Sequence, residues 1–306
     1  MEQQTTVKNA VTLSGCGLHT GAQVSVTLRP ASANQGIIFR RIDLDPIVDI
    51  PAQAIHVSDT SRGTTLSVDN ARVATIEHLM SALHGMGVDN VIAEVNGEEI
   101  PILDGSARLW VDAIKNVGIE QFPAERRYYS ICENITHVDP DDNNIEYTAL
   151  PADDFMVTTL IDFESAVIGK QTAEMNGFER YTTDVAPCRT FVFLHEIAPL
   201  LDLNLIKGGA LDNALIFVDH PLESTQAERL AKIYHMDAKS LKVNNGVLNS
   251  VQPYFPNEPA RHKMLDFIGD IFLTGIRLKG HFIIKCPGHK ANTDFAKMLS
   301  NIIYNS

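Results

Sequence analysis

Arg261-His262-Lys263-Met264-Leu265-Asp266-Phe267-Ile268-Gly269-Asp270-Ile271-Phe272 is the stretch from which the rest of the chain is best read. At about 100° per residue, Met264, Leu265, Phe267, Ile268, Ile271 and Phe272 fall on one broad apolar face of a helix. Pro259, just upstream, suits the helix start. His262, Asp266 and Asp270 step along the opposite side at i, i+4 and i+8, where side chains stand one above the other. A histidine and a carboxylate so placed can hold one metal ion from the same side; they can also make an ordinary solvated pair. Gly269 offers no side chain, so another group can approach the stripe closely. Two ligands do not complete a site, because catalytic zinc usually takes three protein ligands and keeps an open position.

The remaining composition narrows the classes. A chain of 306 residues suggests about two domains, and 44% apolar content is enough for real cores. The net charge of −13 argues against a nucleic-acid binder, which would carry a basic face. It leaves room for an anionic substrate met by a few local lysines and arginines. Cys16, Cys132, Cys188 and Cys286 lack CxxC spacing, which favours reduced thiols in the cytosol. Met1 to Asn9 lacks an apolar signal core, and no apolar run approaches the length of a membrane span.

Along the chain, Thr6–Leu13, Val24–Leu28 and Gly36–Arg40 read as strands, and the extended pattern continues through residues 52–69 with a polar loop at Ser58–Gly63. A helix is expected from about Thr75, as N-cap, to His84, ended by Gly85 and Gly87. Glu77-His78 sits in its first turn, but neither HExxH nor its inverse is present, since position 82 is Ala and position 74 is Ala. The pair offers one ligand and one nearby base, or only a polar helix start. Val88–Val95 reads as a strand, Asn96-Gly97 as a hairpin turn, and Ala107–Val117 as a helix with Trp110, Ala113 and Ile114 in the core. Residues 118–127 are taken as the domain boundary. Strands then helices follow again: Tyr129–Val138, Asn144–Leu150 and Phe155–Phe163, a helix near Thr225–Tyr234, the opening helix, a strand at Phe282–Lys285 and a helix at Asn292–Tyr304. Between Ile197 and Val218 lies a segment rich in Leu and Ile but broken by Pro199 and Gly208-Gly209. It suits a bent insertion, with a plain buried helix and strand as the alternative.

Three fragments carry a resemblance: Thr75-Ile76-Glu77-His78-Leu79, Arg261-His262-Lys263-Met264-Leu265-Asp266 and Gly288-His289. With Gly17-Leu18-His19-Thr20-Gly21, Ile100–Ser106, Arg189-Thr190-Phe191 and Gly208-Gly209 in order along nearly the whole chain, the combination resembles the zinc-dependent UDP-3-O-acyl-N-acetylglucosamine deacetylases of lipid A biosynthesis. The resemblance implies one catalytic Zn2+ held by His78, His262 and Asp266, with a position left for water. It implies Glu77 as general base and His289 as general acid or oxyanion-steadying cation, oriented by Asp270. Thr190 would hydrogen-bond near the developing oxyanion, and Lys263 would bind the substrate. Phe163 and Phe191 would line the nucleotide and sugar region, and Ile197, Leu200, Gly209 and Ala214 the passage for the acyl chain. His19 is similar to a family histidine near the site and is given no chemical step.

The fold so implied is α+β: two similar α/β layered-sandwich domains, residues 1–126 and 127–306, with the site between them. Each carries an insertion, near residues 55–66 and 192–218. The expected partner is an acylated UDP-amino sugar. The protein is expected as a cytoplasmic monomer without a membrane span, with peripheral access to lipid intermediates and no nucleic-acid partner. Two features depart from the pattern. Residues 219–258 are longer than the usual connection, with no role assigned. Some members are fused to a hydroxyacyl-carrier-protein dehydratase, whereas this sequence stops at Ser306. The alternatives are a zinc hydrolase of another N-acyl or ester substrate, and a non-enzymatic binding protein of similar layering.

Overall fold

In the computed structural model, which describes residues 2–202, 207–222, 224–233, 237–248 and 252–305, one strand plan occurs twice. Five strands pair in the spatial order Val11–Cys16, Gln23–Pro30, Val91–Val95, Ile37–Arg41, Val48–Pro51. The last of them in sequence, Val91–Val95, is central, antiparallel to Gln23–Pro30 and parallel to Ile37–Arg41. The second sheet runs Ile135–Val138, Glu146–Leu150, Arg277–Lys285, Phe155–Asp162, Lys170–Asn176. Again the last strand is central, antiparallel to Glu146–Leu150 and parallel to Phe155–Asp162. Along Gln23–Pro30, Val24, Val26 and Leu28 are buried while their neighbours are not, the period-two pattern of a sheet with one packed face. Ile119–Glu125 pairs with Gln3–Val7, and Tyr128–Ser130 with Arg277–Lys285.

The helices are α1 (Glu77–Gly85), α2 (Arg108–Val117), α3 (Tyr181–Asp184), α4 (Leu194–Asp202), α5 (Ser224–Ile233), α6 (Glu258–Ile271) and α7 (His289–Asn305). α1 and α2 bracket the first central strand as α6 and α7 bracket the second, so the chain is α+β with two similar halves, and α1 and α6 are counterparts. Between Val48–Pro51 and α1 a small sheet is inserted, made of Val57–Asp59, Thr65–Val68 and Ala71–Val73. At the equivalent place before α6 come α3, α4, α5 and a sheet ordered Phe191–Phe193, Leu215–Phe217, Val247–Leu248, Val243–Asn244. Residues 219–258, without a role in the sequence reading, therefore supply two strands of this sheet and α5. Leu194, Ile197, Ile216, Val218, Leu230, Ala231, Leu241 and Leu248 form a small core of its own there. Leu203, Leu205 and Ile206 of the apolar segment lie outside the described residues. Among the described residues, no helix is long and apolar enough to cross a membrane.

Several local expectations give way to the structure. Thr6–Leu13 is two strands, because the chain leaves the pairing with Ile119–Glu125 at Lys8, whose N–H donates to Gly118 O at 2.8 Å, before joining the first sheet. Thr75 is not an N-cap: Ile76 holds that position without a side-chain cap. Thr75 instead adopts φ +59°, costly for a β-branched residue, and its hydroxyl donates to Glu99 Oε1 at 3.2 Å. Asn96-Gly97 does not close a hairpin. Asn96 Oδ1 accepts from Ser25 N at 2.7 Å, and the chain runs on to bridge Ala74 through Glu99 and Gly17 through Pro101.

The largest difference concerns α6. Its His262–Asp266–Asp270 stripe does not face solvent. His262, Asp266 and Asp270 are as buried as Met264, Phe267 and Ile268, because His78 of α1 packs on His262 and Asp266, the Cys188–Phe191 segment on His262, and Thr64 and the first turn of α7 on Asp270. α1 and α6 meet at Gly269, where an added Cβ would collide with the Glu77 carbonyl oxygen and come within 3.0 Å of Ser81 N. At the other end of the crossing, buried His84 stacks on Phe272 with centroids 4.2 Å apart and donates from Nδ1 to Ile268 O at 2.9 Å. Gly269→Ala must therefore push α1 away from α6. The expected loss is roughly 1–3 kcal/mol, the usual cost of overpacking a close-packed contact, read as a lowered melting temperature of the metal-free protein. An unchanged melting temperature would contradict the close approach.

Candidate functional site

The close crossing carries the first turn of α1 onto the stripe of α6. His78 Nε2 lies 3.7 Å and His262 Nε2 3.4 Å from the same atom, Asp266 Oδ1. The donor atoms of these three buried residues lie within 4.8 Å of one another. Asp266 Oδ1 is buried and makes no hydrogen bond, a costly state for a carboxylate oxygen unless something else satisfies it. A tetrahedron with bonds of about 2.1 Å has edges of roughly 3.4 Å, so the two distances to Oδ1 are close to those of a shared ion. Two imidazoles and a carboxylate are a donor set that zinc accepts. On spacing, donor type and the orphaned oxygen, the residues fit a metal ion.

Neighbouring groups tune two of these donors, His262 and Asp266. His262 Nδ1–H donates to Cys188 O at 3.1 Å, which leaves the Nε2 lone pair facing Asp266 and His78. Burial drives the His262 imidazole down to about 3 against the pull of Asp266, so it is neutral at pH 7, as a ligand must be. Burial pushes the Asp266 carboxyl up, but His262, Lys263 and His78 outweigh it and hold it well below the usual range. Lys263 Nζ lies 2.8 Å from Asp266 Oδ2; burial works against its charge, and Asp266 more than restores it.

Glu77 stands beside this cluster. Burial pushes its carboxyl up, with His289 and His78 pulling the other way, and Thr64 N donates to its Oε2 at 2.9 Å. Gly63, at φ +152°, leaves room for it: a Cβ there would come within 2.9 Å of Glu77 Oε1. His289 Nδ1 donates to Asp270 Oδ2 at 3.1 Å. Asp270 also accepts from Thr64 Oγ1 at 2.6 Å and Asn292 Nδ2 at 2.8 Å, and Asn292 Oδ1 accepts from Tyr147 OH at 2.6 Å. Burial opposes the charge on His289, but Asp270, Glu77 and Asp266 raise its pKa to about 9.

One wall of the site opens into a cavity of about 250 Å3. Thr190, Phe191, Ile197, Gly209, Ala214, Lys263 and His289 line it, together with Leu18, His19 and Arg62. Phe163 does not line this cavity; its ring packs edge-on against Phe191 and Phe193, each centroid 5.6 Å away. The side chain of Leu200 lies outside the described residues. His19 takes a place in the wall, its Nε2 3.1 Å from Arg62 O and its backbone N–H donating to Glu99 Oε1 at 2.9 Å.

The sequence reading missed Thr64, Asn292, Tyr147 and Glu258. Asn292 was within reach. With α7 starting at His289 instead of Asn292, the two residues are one turn apart and both bond Asp270. Glu258, fully buried in the first turn of α6, binds Arg189 Nε and N, each at 3.0 Å, and so ties the Cys188–Phe191 segment to α6.

A family model described as UDP-3-O-acyl N-acetylglycosamine deacetylase matches residues 4–232 and 218–301. The chain is 41% identical over 302 residues to a protein of Bacteroides thetaiotaomicron named bifunctional enzyme LpxC/FabZ, covering 98% of this chain and 64% of that one. A protein of the same name from Chlorobaculum tepidum is 38% identical, with 97% and 64% covered. A UDP-3-O-acyl-N-acetylglucosamine deacetylase of Nitratidesulfovibrio vulgaris is 36% identical, with 97% and 87% covered. The chain thus spans just under two thirds of the bifunctional relatives' length and most of the single-function one.

The raised pKa of His289 has a consequence for stability. A folded-state pKa near 9, above the ordinary histidine value of about 6.5, contributes stability that is fully present below that ordinary value and is lost as pH rises through about 9. Asp270→Asn is expected to bring the His289 titration, followed by NMR of the imidazole in the metal-free protein, down toward the ordinary value. The variant's melting temperature would then fall less than wild type's between pH 7 and pH 10. A titration unmoved from that of wild type would break the Asp270–His289 link.

Proposed function

The chain belongs to the UDP-3-O-acyl N-acetylglycosamine deacetylase family, and from that premise we propose that it hydrolyses the N-acetyl group of UDP-3-O-(3-hydroxyacyl)-N-acetylglucosamine. The products are the free amine and acetate, and the pathway is lipid A biosynthesis. The observation that carries the reading is the convergence of His78 and His262 on the orphaned Oδ1 of Asp266, with Glu77 and His289 beside them.

His78, His262 and Asp266 would hold one Zn2+. When bound, zinc supplies Lewis acidity: it makes water a usable nucleophile at neutral pH and polarises the amide carbonyl. Glu77 takes a proton from the attacking water as the new C–O bond forms. Its buried position raises its pKa and so its basicity. His289, held as imidazolium by Asp270, stands ready to steady the oxyanion or to protonate the amine as the C–N bond breaks. Thr190, on the cavity wall, donates toward the developing oxyanion. Lys263 binds the substrate, and Phe191, with Phe163 packed against it, lines the sugar and nucleotide region.

The acyl chain occupies the cavity bounded by Ile197, Gly209 and Ala214, with Leu200 assigned to the same passage on sequence alone. Burial there is worth up to about 0.8 kcal/mol per methylene. The same reading takes residues 1–126 and 127–306 as the two domains and the protein as a cytoplasmic monomer that meets its lipid intermediate at the periphery.

The test is acetate release from the acylated UDP-sugar, with and without a chelator. Glu77→Gln keeps the shape and removes the basicity. We expect near-normal zinc content and a rate lower by roughly 10²-fold or more, the usual scale for a general base. Turnover near wild type in that variant would remove Glu77 from the mechanism, and chelator-resistant turnover would remove the metal.

A further inference from the structure

A second group of metal-type donors lies on the insertion, outside the site described above. Strands Phe191–Phe193 and Leu215–Phe217 are parallel, with Phe193 opposite Phe217. Two residues beyond that pair stand His195 and Asp219, so the register delivers both to the same end of the two strands, and His220 follows at once. His195 Nδ1 and His220 Nδ1 each lie 3.0 Å from Asp219 Oδ1. The donor atoms of all three residues lie within 4.8 Å of one another.

We propose that His195, Asp219 and His220 form a second binding site, for a divalent transition-metal ion of the zinc or nickel type. Imidazole nitrogens favour such ions over magnesium and calcium, which take oxygen ligands. The carboxylate is largely covered, with a side-chain exposure of 11%. The two histidines are open to solvent at 51% and 77%, so an ion can reach the donors and keep water in its remaining positions. His195 stacks on Phe193 with centroids 5.5 Å apart, and the two imidazoles meet edge-on at 88°.

The location gives such an ion a structural consequence. One face of the insertion's sheet joins the main core through Phe193, Leu215 and Phe217, while the other packs into a small separate core with Ile197 and Ile216, and small cores gain most from a staple. An ion here ties the start of α4, which carries Ile197, to the end of the strand that carries Ile216, and both residues line the cavity. It shares no ligand with the His78–His262–Asp266 group.

Equilibrium dialysis of the intact protein against excess zinc, followed by metal analysis, tests the assignment. Two ions per chain are expected for wild type and one for the double variant His195→Ala/His220→Ala. The His262→Ala protein is expected to keep the peripheral ion, so a failure of the catalytic assignment is told apart from a failure of this one. Zinc added to protein already holding its first ion should raise the melting temperature of wild type and leave that of the double variant unmoved. One ion in saturated wild type, or two in the double variant, would overturn the proposal.

Discussion

The contact between α1 and α6 at Gly269 is the constraint on which the rest depends. Only a glycine lets the Glu77 carbonyl approach the α6 backbone so closely, and only that approach brings His78, from one half of the chain, onto His262 and Asp266 of the other. The two helices are counterparts in a duplicated plan, so the site forms where like elements of two like halves face each other. Buried ion pairs surround the crossing. Arg189–Glu258 fixes the segment that offers the Cys188 carbonyl to His262, and Arg277–Asp89, at 2.6 Å, joins the second central strand to the loop after α1. Removing one partner from such a pair leaves an uncompensated buried charge, which costs about 3–5 kcal/mol. The surroundings of the site are therefore harder to alter than a surface cluster would be.

The same crossing explains why the site gathers groups that do not favour a stable fold by themselves. Glu77, His262, Asp266 and Asp270 are all buried, and isolated buried charge is expensive. Much of that cost is offset by neighbours: Lys263 on Asp266, His289, Thr64 and Asn292 on Asp270, Thr64 N on Glu77. Asp266 Oδ1 remains without a hydrogen bond. Local rules broken at one place and kept elsewhere are the mark of a functional site.

Much of this was legible in the sequence. The apolar periodicity of α6 located the helix, and the i, i+4 spacing of His262 and Asp266 put two donors on one side. Gly269 between Asp266 and Asp270 pointed to close approach. What periodicity could not convey is that the polar side is buried too. Hydrophobic pattern reports which face differs from which, whereas only tertiary contact says what covers the second face. The third donor, His78, came from family resemblance, since no one-helix motif links it to the other two. The duplicated strand order was legible only as strands followed by helices, twice, because spatial order and register arise from long-range pairing. Thr64 and Tyr147 carry no local signal: each reaches Asp270 directly or through Asn292 only after distant strands and helices are assembled.

Three donors from two helices would converge on one ion, and anomalous diffraction at the zinc edge from zinc-loaded crystals tests this most directly. The predicted result is an ion at the crossing bonded to His78 Nε2, His262 Nε2 and Asp266 Oδ1 at about 2.0–2.2 Å. Zinc absent from the crossing in fully loaded protein, or held there without any one of these three atoms, would contradict it.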